Sequence, residues 1–155
     1  VFDTGNPFAV GEDPVAFARR TAPRIRHLHL KDYRAHWSDE GVRLVRCPIG
    51  DGCVPLAEIA AVLAARRSDV TASLEPAALE ARHIRLFTDD WWSGYPPRDA
   101  RELGVAIGRL RHRAFADGDD FRTPWETHAS PDAIVADERA HLERSVVNMQ
   151  GMGWL

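Results

Sequence analysis

The stretch His27-Leu28-His29-Leu30-Lys31-Asp32 decides how this chain is read. Strict alternation puts Leu28 and Leu30 on one face of a strand and His27, His29 and Lys31 on the other, with Asp32 at its end. Polar side chains buried in a row cost free energy unless they are hydrogen-bonded or coordinated. A strand that serves only as scaffold has no use for them. One or both histidines can still be read as hydrogen-bonded groups near a strand end.

Working outward, Val1-Phe2-Asp3 reads as the end of a strand already in progress, entering a loop at Gly5 and Pro7. The chain is therefore expected to be the C-terminal part of a longer polypeptide. Asp13 is an N-cap and Pro14 a first-turn residue for a helix that closes at Pro23. Residues 25–31 form the next strand. Residues 32 to about 54 read as a long loop holding Gly41 and the turn Pro48-Ile49-Gly50-Asp51-Gly52, and loops of that length are candidates for function. Leu56, Ile59, Ala60 and Leu63 recur at helical spacing over residues 56–65, and residues 70–75 form a third strand ending in Glu75.

Strand, helix, strand, helix, strand is the pattern of a parallel sheet with crossover helices. Asp3, His29 and Glu75 each stand at or near the C-terminal end of one strand. In a (β/α) barrel those ends converge on one mouth, where active sites are built. The second half reads differently. Helical material is expected over residues 77–87, then an aromatic loop over 88–97 with Trp91, Trp92 and Tyr95. Trp91 and Trp92 either cover the site or pack the tail on the barrel. A helix is expected over 101–115, and a compact knot of the kind that docks a tail over 122–126. A last amphipathic helix over 131–149 turns Ile134, Leu142, Val146 and Met149 inward.

The bulk numbers set the limits. With 155 residues, 45% of them hydrophobic, the chain has the material of one ordinary globular domain. A net charge of −3 and a pI near 6.2 give no general attraction to nucleic acid or to an anionic membrane. No apolar run spans a bilayer. Cys47 and Cys53 lack zinc-site spacing and read as reduced thiols of a cytoplasmic protein, with a disulfide the less favoured alternative.

Two carboxylates and one imidazole make a ligand set suited to Mn²⁺, Mg²⁺, Co²⁺ or Zn²⁺. Such a cation polarises a carbonyl, and a neighbouring carboxylate moves a proton at the adjacent carbon. Lys31 and Asp32 would either support the cation's ligands from behind or touch substrate, while Asp32 is also readable as a residue that fixes the loop or orients an imidazole. Asp3 has a second reading as a turn cap.

The runs Asp3-Thr4-Gly5-Asn6, His27 to Asp32, Pro48 to Gly52 and Ser73-Leu74-Glu75-Pro76, in this order, resemble the xylose-isomerase-like TIM-barrel superfamily. The likeness covers about residues 1–90 and implies the last three strands of an eight-stranded barrel. The fold expected is thus α/β, the C-terminal part of a (β/α)8 TIM barrel over 1–90, with a helical C-terminal extension over 91–155. The resemblance implies a divalent cation held by Asp3, His29 and Glu75, with Glu75 doubling as the proton-transferring carboxylate. The family's remaining Glu ligand belongs to an earlier strand. His27 becomes a neighbour, Asn6 a site-lining residue where His is frequent, and Lys31 a group at the mouth. Arg34 stands near the position where some epimerases hold substrate with an arginine. Gly41-Val42-Arg43-Leu44 lacks the Asp-x-His pair of the endonuclease IV branch, so apurinic-site cleavage is not expected.

The expected function is a metal-dependent sugar or polyol isomerase or epimerase that works through an enediolate. A dehydratase of the same scaffold, acting on an inosose or a dehydroshikimate-like compound, is the nearest rival, and a non-catalytic truncated or split module is the rival of another class. The expected partner is a small sugar or polyol, without nucleic acid or membrane. The preceding barrel strands are needed to complete the site, and a homo-oligomer is left open.

Overall fold

In the computed structural model, which describes residues 1–65, 69–76 and 79–154, two three-stranded sheets form among the described residues. The first is parallel, in the order β1 (Phe2–Asp3), β2 (His27–Leu30), β5 (Thr71–Leu74). Helix α1 (Pro14–Thr21) connects β1 to β2. Asp13 caps it by accepting the Ala16 amide at 3.0 Å, with Pro14 in its first turn, as the sequence predicts. Helix α2 (Leu56–Ala64) precedes β5 and buries Leu56, Ile59 and Leu63. Leu28 and Leu30 are buried in the core that includes these residues, each gaining about 1.5–3 kcal/mol from leaving water.

The register of the parallel ladder pairs Asp3 with His29 and Leu30 with Leu74. Thr4 fastens its end. Its fully buried hydroxyl donates to the Lys31 carbonyl at 2.8 Å and accepts from the Lys31 amide at 2.9 Å. The Glu75 amide continues the ladder by donating to the Leu30 carbonyl.

The region expected as one long loop is largely a hairpin. β3 (Asp32–Ser38) and β4 (Gly41–Cys47) pair antiparallel around Asp39 and Glu40, and β6 (Arg82–Ile84) adds to β4. Tyr33, Ala35, Val42, Leu44 and Ile84 are buried, and that burial holds a strand pattern which charged neighbours mask in the sequence. β6 also replaces part of the helical material expected over 77–87. Ile84 pairs with Val42, and this non-local pairing overrides local helix propensity. Ala77 and Ala78, in the same expected segment, lie outside the described residues.

Asp32 locks the hairpin to the rest of the molecule. It is 1% exposed. One carboxylate oxygen accepts the amides of Tyr33 and Val54 at 2.8 and 3.0 Å, and the other those of Gly50 and Gly52 at 2.9 and 3.0 Å. The turn approaches so closely that a Cβ on Gly52 would run into this carboxylate. Cys47 and Cys53 are free thiols nearby, and burial, with Asp32 adding to it, pushes the Cys53 thiol up to about 12.

Short helix α3 (Asp89–Trp92) lies in the aromatic segment, and its Trp92 indole donates to the Leu86 carbonyl at 2.9 Å. Both tryptophans pack against the core, which is the tail-packing reading. Helix α4 (Ala100–His112) stops short of the expected residue 115, because the Phe115 amide turns away to the Ala35 carbonyl of β3. Arg109 ties α4 to the other helices, with Nε 2.7 Å from Asp13 and a two-pronged pair to Glu58 at 2.6 and 2.9 Å.

Helix α5 (Pro131–Gly151) docks through polar groups. The Ser145 hydroxyl accepts the Ile49 amide at 2.9 Å, and Asn148 donates to the Ile49 carbonyl and to Asp51. Met149 is buried as expected, Ile134 and Val146 are half-buried, and Leu142 is 41% exposed, contrary to its inward assignment. The docking face runs through Ser145 and Asn148 to Met149; Leu142 lies about two turns before Met149 and stays exposed. No helix among the described residues is long and apolar enough to cross a membrane.

Two outcomes follow from the Asp32 lock. Asp32→Asn keeps one acceptor oxygen but turns an NH₂ group toward amide donors. It is expected to destabilise the fold by about 2–4 kcal/mol, read as a lower urea midpoint at unchanged slope. Burial outweighs the four amides and raises the Asp32 carboxyl to about 6 from its ordinary 3.8. The folded chain therefore holds this proton more tightly than the unfolded one. The resulting contribution to stability is complete below about pH 4 and is lost as pH rises through about 6. A carboxyl ¹³C titration of Asp32 with its midpoint near 6 checks the value.

Candidate active site

β1, β2 and β5 end side by side, so the residues at or just beyond their C-terminal ends meet. Asp3, His29 and Glu75 are one group of three metal-capable side chains found among the described residues, each offering a ligand atom within 4.8 Å of the others. His29 Nδ1 lies 3.3 Å from Glu75 Oε2. Asp3 caps a turn and still reaches the cluster: its Oδ1 accepts the Gly5 and Asn6 amides at 3.0 and 2.9 Å, while Oδ2 faces Lys31.

Lys31 reaches the same place by alternation, two residues beyond His29 on the same face. Its side chain is 6% exposed, and Nζ sits 2.9 Å from Asp3 Oδ2 and 2.8 Å from Glu75 Oε1. Burial works against its charge, but the Glu75 and Asp3 carboxylates outweigh that and hold its pKa above the usual 10.5. His27 is a neighbour outside the ligand group. Its ring nitrogens bond Thr71 and Ser73 at 2.7 and 2.8 Å, and its ring meets His29 edge-on at 5.6 Å.

The donor set fits a divalent cation on its chemistry: two carboxylates and an imidazole converge, and the Lys31 ammonium already lies against both acids as a cation does. Their positions at the strand ends come from the ladder register and not from loop chance.

The remaining expected substrate residues separate. Asn6 is exposed and, with Lys31, lines a cavity of about 580 Å³ beside the cluster. Asp32 does not reach it. Both of its oxygens are taken by backbone amides, so the loop-fixing reading holds and the substrate-contact reading is corrected. Arg34 is corrected as well. It pairs with Val45 on the other face of the hairpin, lies 4.0 Å over the Phe115 ring, and lines a different cavity.

Arg46, and not Arg34, lies beside the cluster. It is paired with Tyr33, its guanidinium is 3.6 Å from Glu75 Oε1, and it lines the same cavity as Lys31. Its position depends on the antiparallel register of β3 and β4, which the long-loop reading conceals. Trp125, in the knot expected to dock a tail, also lines this cavity and is 50% exposed. Glu126 holds the knot in place by accepting the Ala81 and Thr123 amides at 3.2 and 2.9 Å.

Gly5 makes room for the wall of this cavity. A Cβ there would lie 2.5 Å from Tyr33 Cε2 and 3.3 Å from Lys31 Cγ. Gly5→Ala is expected to displace the Tyr33 ring and to cost about 1–3 kcal/mol, measured by shifted Tyr33 ring resonances and a lowered urea midpoint.

Comparison with known proteins places these observations in a family. The family described as xylose isomerase-like TIM barrel matches residues 1–91. An inosose dehydratase of Clostridium beijerinckii is 36% identical over 74 residues, covering 41% of this chain and 25% of that protein. An inosose dehydratase of Lacticaseibacillus casei is 45% identical over 40 residues, covering 26% of this chain and 13% of that protein. The chain thus spans a quarter or less of the length of these relatives. No solved structure matches it at a significant level.

Proposed function

Because the chain belongs to the xylose isomerase-like TIM-barrel family, we propose that it carries part of the active site of a divalent-metal-dependent enzyme that moves a proton next to the carbonyl of a sugar or polyol-derived substrate. The observation that carries the reading is the convergence of Asp3, His29 and Glu75 within 4.8 Å at the ends of three parallel strands. The proposed cation ligands are these three residues. The cation supplies Lewis-acid polarisation of the substrate carbonyl.

In this reading the chain's own groups divide the remaining work. Glu75 Oε2 stands with His29, and Glu75 Oε1 takes the proton from the carbon beside the carbonyl and returns it. Lys31 Nζ, 2.8 Å from Oε1, keeps that carboxylate oriented and its charge balanced. Asn6 and Tyr33 line the space where the hydroxyl groups of a substrate would lie.

Isomerisation or epimerisation returns the proton to carbon. A dehydratase uses the same abstraction but expels hydroxide from the neighbouring carbon. That second reading is favoured by the names of the two relatives just described. Turnover in D₂O separates them, since an isomerase or epimerase gives product of unchanged formula with deuterium at the exchanged carbon, whereas a dehydratase gives product lighter by one water.

Two variants of the full-length protein test the site. Glu75→Gln is expected to lower kcat about 10²–10⁴-fold while thermal unfolding stays near wild type. His29→Ala is expected to weaken Mn²⁺ binding by about tenfold or more in calorimetry. Wild-type protein that binds no divalent cation, or Glu75→Gln protein with full turnover, would overturn the proposal.

A further inference from the structure

The cavity beside the cluster has a chemistry of its own. Lys31 and Arg46 line it where it meets Glu75, and β6 and the Trp125 knot contribute further wall. Three cationic side chains line it, Lys31, Arg46 and Arg82, against one acid, Glu80. Lys31 is engaged by two carboxylates at hydrogen-bond distance. Arg46 makes two long contacts to Glu75, donating to its carbonyl at 3.5 Å and lying 3.6 Å from Oε1. Arg82 is exposed and forms no ion pair among the described residues.

Register brings the two arginines to one face. Leu44 pairs with Arg82 across β4 and β6, and Arg46 is two residues beyond Leu44, so Arg46 and Arg82 project to the same side in diagonal positions. Diagonal neighbours lie about 7–8 Å apart at their backbones, within the reach of two long side chains that converge on one group. Tyr33, opposite Arg46, faces the same space, and Lys31, Arg46 and Arg82 all act on its hydroxyl electrostatically. Guanidinium groups are suited to phosphate and carboxylate because their planar forks match two oxygens at once.

We infer that the substrate of this site carries an anionic group, a phosphate or a carboxylate, which Arg46 and Arg82 hold in this cavity. The inference rests on the proposed function for the site's location and deepens it by naming a charge that a neutral sugar or inosose lacks. A cavity of about 580 Å³ accommodates a sugar-sized molecule together with such a group. The half-exposed Trp125 indole offers an apolar surface to its carbon skeleton. Arg82 is the specificity residue, since it is bound to no other part of the site.

The test is calorimetric, on the full-length protein with Mn²⁺ present, using D-glucose, D-gluconate and D-glucose 6-phosphate as probes of one carbon skeleton. At least one charged probe is expected to bind about tenfold or more tightly than D-glucose, a gap of about 1.4 kcal/mol. Which charged probe gains identifies the group as carboxylate or phosphate. Arg82→Gln is expected to remove the gap while D-glucose binding stays unchanged, and Arg82→Lys to restore only part of it. Equal binding of all three probes, or a gap that survives Arg82→Gln, overturns the inference. A Mn²⁺ titration of the same samples keeps the two proposals apart. Normal Mn²⁺ binding without a charge preference sinks only the anion site. An Arg82-dependent preference in protein that binds no Mn²⁺ upholds the anion site and sinks the metal reading.

Discussion

A buried carboxylate that collects four backbone amides is the constraint on which this structure turns. Asp32 lies at a depth where an isolated charge is strongly unfavourable, and its donors come from Tyr33, from the turn at Gly50 and Gly52, and from Val54 just before α2. Those amides would otherwise be unpaired, so the acid and the turn each make the other's burial tolerable. Two consequences follow. The turn anchors the end of β4 and with it the position of Arg46. The same turn presents Ile49 and Asp51 to Ser145 and Asn148, so α5 docks on a surface that Asp32 has already fixed.

The residue before it does the opposite work. Lys31 and Asp32 are adjacent, and strand geometry sends their side chains to opposite faces. One places an ammonium between two carboxylates at the ends of three parallel strands. The other places a carboxylate among amides that belong to loops. The Lys31-Asp32 pair therefore joins the candidate site to the scaffold in a single step of the chain. Thr4 sits on the same junction and holds the Lys31 backbone from the neighbouring strand.

How much of this was legible in the sequence depends on the range of the interactions. Alternation in His27 to Asp32 and helical spacing in Leu56 to Leu63 are local signals, and both elements form where they indicate. The meeting of Asp3, His29 and Glu75 follows from one topological rule about parallel strands. The hairpin was hidden because Asp39 and Glu40 and the charged positions between its buried residues look like a loop, although Val42, Leu44 and Ile84 form a buried row once paired. Without that pairing, Arg34 and Arg46 cannot be told apart as site residues, since their faces are set by register alone. Leu142 shares the spacing of the buried Met149 but is 41% exposed, and apolar spacing cannot say how far along α5 the contact extends. Trp125 reached the cavity through the Glu126 contacts to Ala81 and Thr123, which no periodicity announces.

Charge balance joins the two proposals. Around the cluster, Asp3 and Glu75 bring two negative charges, Lys31 one positive charge at hydrogen-bond distance, and Arg46 another at 3.6 Å. The group is close to neutral as it stands. A divalent cation entering among Asp3, His29 and Glu75 would compete with Lys31 for Asp3 Oδ2 and leave the cavity positive. The resemblance supplies one compensating charge, a Glu from an earlier strand. An anionic substrate group at Arg46 and Arg82 would supply the rest. On this account cation and substrate each favour the arrival of the other. Lys31 keeps the two acids together in the cation's absence.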